Sequence, residues 1–111
     1  MLIKQFIRGI RSYHEIPKIL KLDGIEKNVE VSHSPSGLCV TTEYTILSNN
    51  IRIWAYRFSC SGVPSRHTVC YTNNSKPNQP RTYYFKDDLW SRIIYNKIVR
   101  RNLVINKTVK E

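Results

Sequence analysis

The chain has 111 residues, and its composition bounds its class before any motif is considered. This length suits one hydrophobic core and is short for two ordinary domains, which usually have about 50 to 250 residues. The apolar share of 41% is that of a globular protein rather than a disordered one. No run approaches the roughly 18 apolar residues that cross a bilayer, so we expect no integral membrane insertion.

The net charge of +10 is unevenly distributed and indicates an anionic partner. Residues 51–86 contain six bases and no acid, whereas residues 15–50 contain five acids and three lysines. Because Arg and Lys are seldom fully buried, the 51–86 block should present its charge at the surface. A merely solvated basic face is the alternative. The predicted nucleic-acid-binding residues are the six bases Arg52, Arg57, Arg66, Lys76, Arg81 and Lys86.

Residues 1–14 predict a cationic amphipathic helix, which Pro17 should keep from extending further. The absence of any acid before Glu15 and the Arg11-Ser12-Tyr13 ending are typical of a mitochondrial presequence. One alternative is an integral helix that packs its apolar face on the core, and another is a helix that lies on a membrane surface. The apolar face comprises Leu2, Ile3, Phe6, Ile7 and Ile10, and the polar face carries Lys4, Arg8 and Arg11.

Alternating apolar and polar residues predict an antiparallel β-meander of about four strands. Turn-forming stretches rich in Ser, Asn, Gly and Pro separate the runs, and the polar segment after residue 72 predicts a surface loop. Residues 82–85 could add a further short strand. The four runs are 29–33, 38–46, 51–60 and 66–72.

A C-terminal amphipathic helix should follow, beginning at Asp87 or Asp88 as the N-cap. We expect it to end near Asn102, although residues 103–105 could form a last strand instead. Its predicted apolar stripe comprises Trp90, Ile93, Ile94 and Ile98. The sequence therefore predicts an α+β fold in which a small antiparallel sheet carries a C-terminal helix, with residues 15–111 as one basic domain behind the N-terminal helix.

The run 51–60 is the most informative segment because both of its faces have a distinct character. Trp54, Tyr56 and Phe58 share one face with Arg52, while small and aliphatic residues occupy the other. An exposed aromatic row beside arginine would be a platform on which unpaired bases stack. Aromatic stripes are more often core, so we expect these three side chains to be covered on a central strand, with base stacking as the alternative.

Three cysteines and no secretory signal favour a reducing compartment with free thiols. A Cys60–Cys70 bridge is the alternative pairing. Zinc ligation by Cys60, His67 and Cys70, together with Cys39 or His33, lacks the close paired spacing of structural zinc sites. We therefore predict no metal and no cofactor.

No catalytic constellation stands out among eight acids and four scattered glycines. A small nuclease that uses His33, Glu43 and His67 is an alternative, because such residues converge only in the folded protein. We predict that the protein is not an enzyme.

Together these features predict a non-catalytic basic protein that binds RNA or another anionic macromolecule. The presequence-like start favours a subunit of a mitochondrial assembly such as a ribosome. The alternative is a free-standing nucleic-acid-binding or protein-interaction module, for example a viral accessory protein, in the cytoplasm or nucleus.

Overall fold

The computed structural model of the protein describes the backbone of residues 2–109 and the side chains of residues 3–101. Within that part of the chain, two helices pack on a five-stranded antiparallel sheet with the strands in chain order. The predicted α+β meander with a helix at each end is confirmed, and it has five strands rather than about four. The elements are α1 (Leu2–Ile19), β1 (Glu26–His33), β2 (Cys39–Leu47), β3 (Ile51–Cys60), β4 (Arg66–Asn73), β5 (Arg81–Lys86) and α2 (Leu89–Val109).

Both helices cover the same face of the sheet, and the core lies between them and that face. Side chains alternate between the two faces of a strand, so only every second residue can reach this core. On β3, Ile53 and Ala55 are buried, and the residues paired with them on β4 are Tyr71 and Val69. The remaining buried hydrophobic residues are Ile16, Ile19, Leu20, Tyr44, Ile46, Tyr83, Phe85, Ile94, Tyr95 and Ile98.

The start of α2 is fixed by a reciprocal cap. The Ser91 backbone N–H donates to Asp88 Oδ1 at 2.7 Å, and the Asp88 N–H donates to Ser91 Oγ at 2.9 Å. These bonds satisfy donors that a helix N-terminus leaves open. Asp88, which is one of the two predicted candidates, is therefore the N-cap. The predicted end near Asn102 is wrong, because α2 continues to Val109 and residues 103–105 are helical.

Helix α1 is longer than predicted and is built into the fold by its second half. Pro17 does not end it before Ile19, since the proline lies in the last turn and buried Ile16 and Ile19 hold that turn on the core. Glu15 extends this attachment, because it accepts hydrogen bonds from the Tyr71 hydroxyl at 2.6 Å and from Arg81 at 2.9 Å.

The predicted apolar face of α1 does not pack on the core. Its described members Ile3, Phe6, Ile7 and Ile10 are exposed, while Leu2 lies outside the described side chains. The helix instead turns Gly9, Ser12 and Ile16 inward. None of the described helices is long and apolar enough to span a bilayer.

Gly9 sits where α1 approaches α2, and it gives a test of that packing. A methyl group placed on Gly9 would overlap the indole ring of Trp90. Gly9→Ala should therefore destabilise the protein by about 1–3 kcal/mol through overpacking, against a gain of about 1 kcal/mol in helix propensity. Thermal unfolding followed by circular dichroism measures the effect.

The double variant Gly9→Ala/Trp90→Leu is the matched control, since a smaller side chain at position 90 should relieve the overlap. An unchanged or raised melting temperature for Gly9→Ala alone would contradict the packing of α1 on α2.

Candidate nucleic-acid interface

Trp54, Tyr56 and Phe58 lie on the uncovered side of the sheet, which we call the open face. It is formed by the even-numbered residues of β1, β3, β4 and β5 and the odd-numbered residues of β2. None of the three aromatic residues belongs to the core, and Phe58 is 37% exposed. The expectation that they are buried is therefore wrong, because both helices pack on the opposite face.

Three of the six predicted bases share the open face with this aromatic row. Arg52 precedes Trp54 on the same side of β3, and Arg66 pairs with Phe58 across β3 and β4. Lys86 lies one strand further, opposite Thr68 of β4. Cationic side chains thus stand at both ends of the row and along its β5 side.

The indole of Trp54 is held in place by two neighbours. Its Nε1–H donates to Glu43 Oε2 on the adjacent strand. Its ring stacks on that of Tyr56, with the centroids 5.4 Å apart and the planes 26° from parallel. Beside the indole, a depression of about 370 Å³ opens, lined by Glu43, Thr45, Arg52, Trp54, Cys70 and Thr72. A planar ligand group can approach an aromatic surface and a guanidinium here.

The open face is divided by charge along the direction perpendicular to the strands. Its bases are on β3, β4 and β5, whereas its acids Glu26, Glu30 and Glu43 are on β1 and β2. The pairing of Glu30 with Glu43 places two carboxylates opposite each other. A polyanion would be attracted to the β3–β5 half and repelled from the β1–β2 half.

The other three predicted bases do not join this group. Arg57 points to the helix-covered side and donates to Ser65 Oγ at 3.0 Å. Arg81 is ion-paired with Glu15 on the same side, and that pair raises the pKa of its guanidinium. Lys76 lies in the 74–80 loop and lines a depression with Arg81. The 51–86 block is therefore not one surface.

Tyr84 is an open-face residue that the sequence interpretation did not include. It is 54% exposed and pairs with Cys70, which in turn pairs with Trp54. The alternation in residues 82–85 was the signal for its position, since buried Tyr83 and Phe85 flank it.

Two of the three cysteines form a disulfide that the sequence did not predict. Cys39 and Cys60 face each other across β2 and β3 with their Cα atoms 4.1 Å apart, and the structure joins them. The expectation of free thiols is wrong for this pair, and the alternative Cys60–Cys70 pairing is not formed because Cys70 is free. The bridge lies on the open face, two pairing positions beyond Phe58.

The candidate nuclease residues are not brought together. Glu43 is on the open face, whereas His67 is on the helix-covered face, and His33 lies on the edge strand β1. Among the described residues, no group of three or more His, Cys, Asp or Glu side chains could hold a metal ion. The absence of catalysis and of a cofactor stays a prediction.

His67 is instead a buried residue of the helix-covered face. Its ring contacts that of Tyr95 with centroids 5.0 Å apart, and its Nδ1 has no hydrogen-bond partner within the described structure. Burial lowers the pKa of His67, and the positive charges of Arg57 and Arg92 lower it further, against a smaller opposing effect of Asp87. The neutral form is the one that fits this position.

Comparison of the chain with protein-family models, with curated proteins and with solved structures found no match.

The position of Trp54 predicts a small effect of its removal on stability. Trp54→Ala should cost about 1 kcal/mol, the scale of cross-strand contacts on an uncovered face. Phe85→Ala, on the covered face, should cost about 3–5 kcal/mol because it leaves a cavity. Chemical denaturation of both variants measures the difference in the free energy of unfolding. Equal losses of stability would show that Trp54 belongs to the core.

The lowered pKa of His67 predicts an acid sensitivity. The unfolded chain, with an ordinary histidine pKa of 6.5, takes up a proton before the folded protein does, so stability should be full above this pH and fall below it. The melting temperature should drop more steeply from about pH 7.5 to 5.5 in the native protein than in His67→Gln. The exposed His33→Gln is the control and should keep the native slope; a His67→Gln profile identical to the native one would contradict this origin.

Proposed function

We propose that the protein is a non-catalytic module that binds single-stranded RNA on the β3–β5 half of its open face. The observation that carries the proposal is the row of Trp54, Tyr56 and Phe58 outside the core, with Arg52 and Arg66 on the same face. Aromatic rings outside the core are available to a partner, and bases of any sequence stack on such rings.

The geometry of β3 supports binding of two or three successive bases. Alternate residues of a strand are about 6.5–7 Å apart, so the three rings offer a track of roughly 13–14 Å. The rings of Trp54 and Tyr56 stack on each other, and the exposed ring of Phe58 follows them on the same face of β3. Each stacked base should contribute about 1–3 kcal/mol.

Phosphate contacts would come from the three bases on this half. Arg52 and Arg66 lie at the two ends of the row, and Lys86 lies on its β5 side. Their arrangement matches a backbone that runs beside the rings rather than across β1 and β2, where Glu26 and Glu30 would repel it. Binding through a few phosphates makes affinity fall as salt rises.

Glu43 supplies a means of distinguishing bases. Its carboxylate accepts the Trp54 N–H and also lines the depression beside the indole, so its remaining acceptor capacity faces a stacked base. A carboxylate accepts from exocyclic amino groups such as the N4 group of cytosine. We therefore propose that bases which present an amino group are preferred at Trp54.

The presequence-like character of residues 1–14 predicts import into mitochondria rather than RNA binding. Cleavage near Arg11-Ser12-Tyr13 would remove Gly9 and Ser12 from the packed face of α1, so the proposal concerns the intact chain as a free-standing module. Import into mitochondria and incorporation into an assembly such as a ribosome stay predictions from the sequence.

The proposal is tested by titrating fluorescent single-stranded oligonucleotides with the full chain. Trp54→Ala should weaken binding about 5- to 150-fold, corresponding to the loss of one stack, while the protein stays folded. Arg66→Ala should weaken binding of all sequences alike and reduce the steepness of the salt dependence by about one phosphate.

Two variants on the helix layer, which is formed by α1 and α2, serve as controls. Phe6→Ala removes an exposed aromatic ring and is matched to Trp54→Ala, and Arg100→Ala removes an exposed base and is matched to Arg66→Ala. Both should bind as the native protein does. Loss of affinity in Arg100→Ala with native affinity in Trp54→Ala would place RNA on the helices and refute the proposed interface.

A further inference from the structure

Helix α1 presents three different faces, and only one of them is buried. Gly9, Ser12 and Ile16 lie on the inward face, where Gly9 meets the indole of Trp90. A second face is cationic and comprises Lys4, Arg8 and Arg11, all exposed. The third is apolar and uncovered.

The uncovered apolar face has the spacing of one helical stripe. Its residues are separated by three, one and three positions, which places them on one side of the helix. The exposed fraction decreases from 74% at the N-terminal end of this stripe to 37% at its other end. The four residues of the stripe are Ile3, Phe6, Ile7 and Ile10.

The stripe continues onto the beginning of α2. A largely apolar depression of about 500 Å³ lies between the helices, lined by Ile3, Gln5, Phe6, Asp88, Leu89 and Trp90. Leu89 is 66% exposed, and the ring of Phe6 contacts that of Trp90 edge to face at 5.8 Å. The uncovered surface is therefore a contiguous patch rather than a set of isolated side chains.

The charge beside the patch identifies the kind of surface that fits it. Helix α1 has four bases and one acid, and α2 has five bases and no acid. The single acid, Glu15, already accepts hydrogen bonds from Arg81 and Tyr71. Asp88 also lines the depression, and its Oδ2 accepts a hydrogen bond from the side-chain amide of Gln5. A second copy of the chain would bring the cationic faces of α1 together, so the charge favours an anionic partner that also receives apolar side chains.

We propose that α1 docks this patch on an anionic lipid surface, with the helix lying in the plane of the headgroups. In that position the Ile and Phe side chains reach the boundary of the acyl chains, and long basic side chains remain at headgroup level. Arg8 and Arg11 are already directed to one flank of α1, because the guanidinium of Arg8 lies over the Tyr83 ring at 5.4 Å and Arg11 donates to the Tyr83 hydroxyl at 2.8 Å.

The experiment is co-sedimentation of the full chain with vesicles of phosphatidylcholine alone and of phosphatidylcholine containing about 30% phosphatidylglycerol. The native protein should partition at least about ten-fold more strongly onto the anionic vesicles, and added salt should reduce that preference. Ile3→Ser/Ile7→Ser should lower the binding by about ten-fold, and Lys4→Gln/Arg8→Gln should remove the preference for anionic lipid.

Val31→Ser/Val63→Ser is the matched control, because both valines are exposed and neither is part of a helix: Val31 is on the edge strand β1 and Val63 is between β3 and β4. It should bind vesicles as the native chain does, and so should Trp54→Ala, which separates this proposal from that of RNA binding. Circular dichroism confirms that each variant is folded. Native-level binding by Ile3→Ser/Ile7→Ser, or no binding of the native chain to anionic vesicles, would overturn the proposal. So would a dimer of the native chain that Ile3→Ser/Ile7→Ser dissociates.

Discussion

The structure depends on the covering of a single face of the sheet. Two helices supply enough apolar surface for one side of five strands, and Ile53, Ala55, Val69, Tyr71 and Phe85 meet them there. Successive side chains of a strand point to opposite faces of the sheet. The packing of these five residues on the helices therefore places the residues next to them in sequence on the open face. The position of half-buried Trp54 and Tyr56 on the open face is thus the consequence of the burial of Ile53 and Ala55. The position of Arg52 and Arg66 follows from the same alternation and pairing.

The strands and the capped helix could be predicted from the sequence because they are specified locally. Alternation, Asn- and Gly-containing turns and Asp88 before an apolar helical pattern are all readable without tertiary information. The covered face of β3 could not be predicted, since aromatic and aliphatic side chains make both of its faces suitable for a core. The Cys39–Cys60 bridge required the register of β2 against β3, which depends on the conformation that the connecting turn adopts.

Helix α1 shows why amphipathicity alone does not identify the face of a helix that packs on the core. The more apolar stripe of α1 carries large side chains, which hold two helices apart. Gly9 has no side chain and lets α1 approach the indole of Trp90 closely. The core contact is therefore made by a small-residue face that continues into Ile16 and Ile19, and the stripe of larger residues stays outside. The exposed apolar surface of α1 is therefore larger than folding requires, and a surface of this kind marks a site where a partner binds.

The two proposed surfaces, the open face of the sheet and the helix layer, differ in how strongly their charges attract an anion at long range. On the open face the three bases of β3–β5 are matched by the three acids of β1 and β2, so long-range attraction of a polyanion there is weak, and affinity must come from stacking at short range. The helix layer has nine bases and one acid and attracts any phosphate, whether of a lipid or of a nucleic acid. RNA that first meets the helices would be held only by salt-sensitive contacts, because those helices present Ile and Phe rather than a flat aromatic track. A lipid headgroup on the same helices would gain the apolar contacts that RNA cannot use. If both proposals hold, apolar chemistry rather than charge assigns each anionic partner to its own face of this protein.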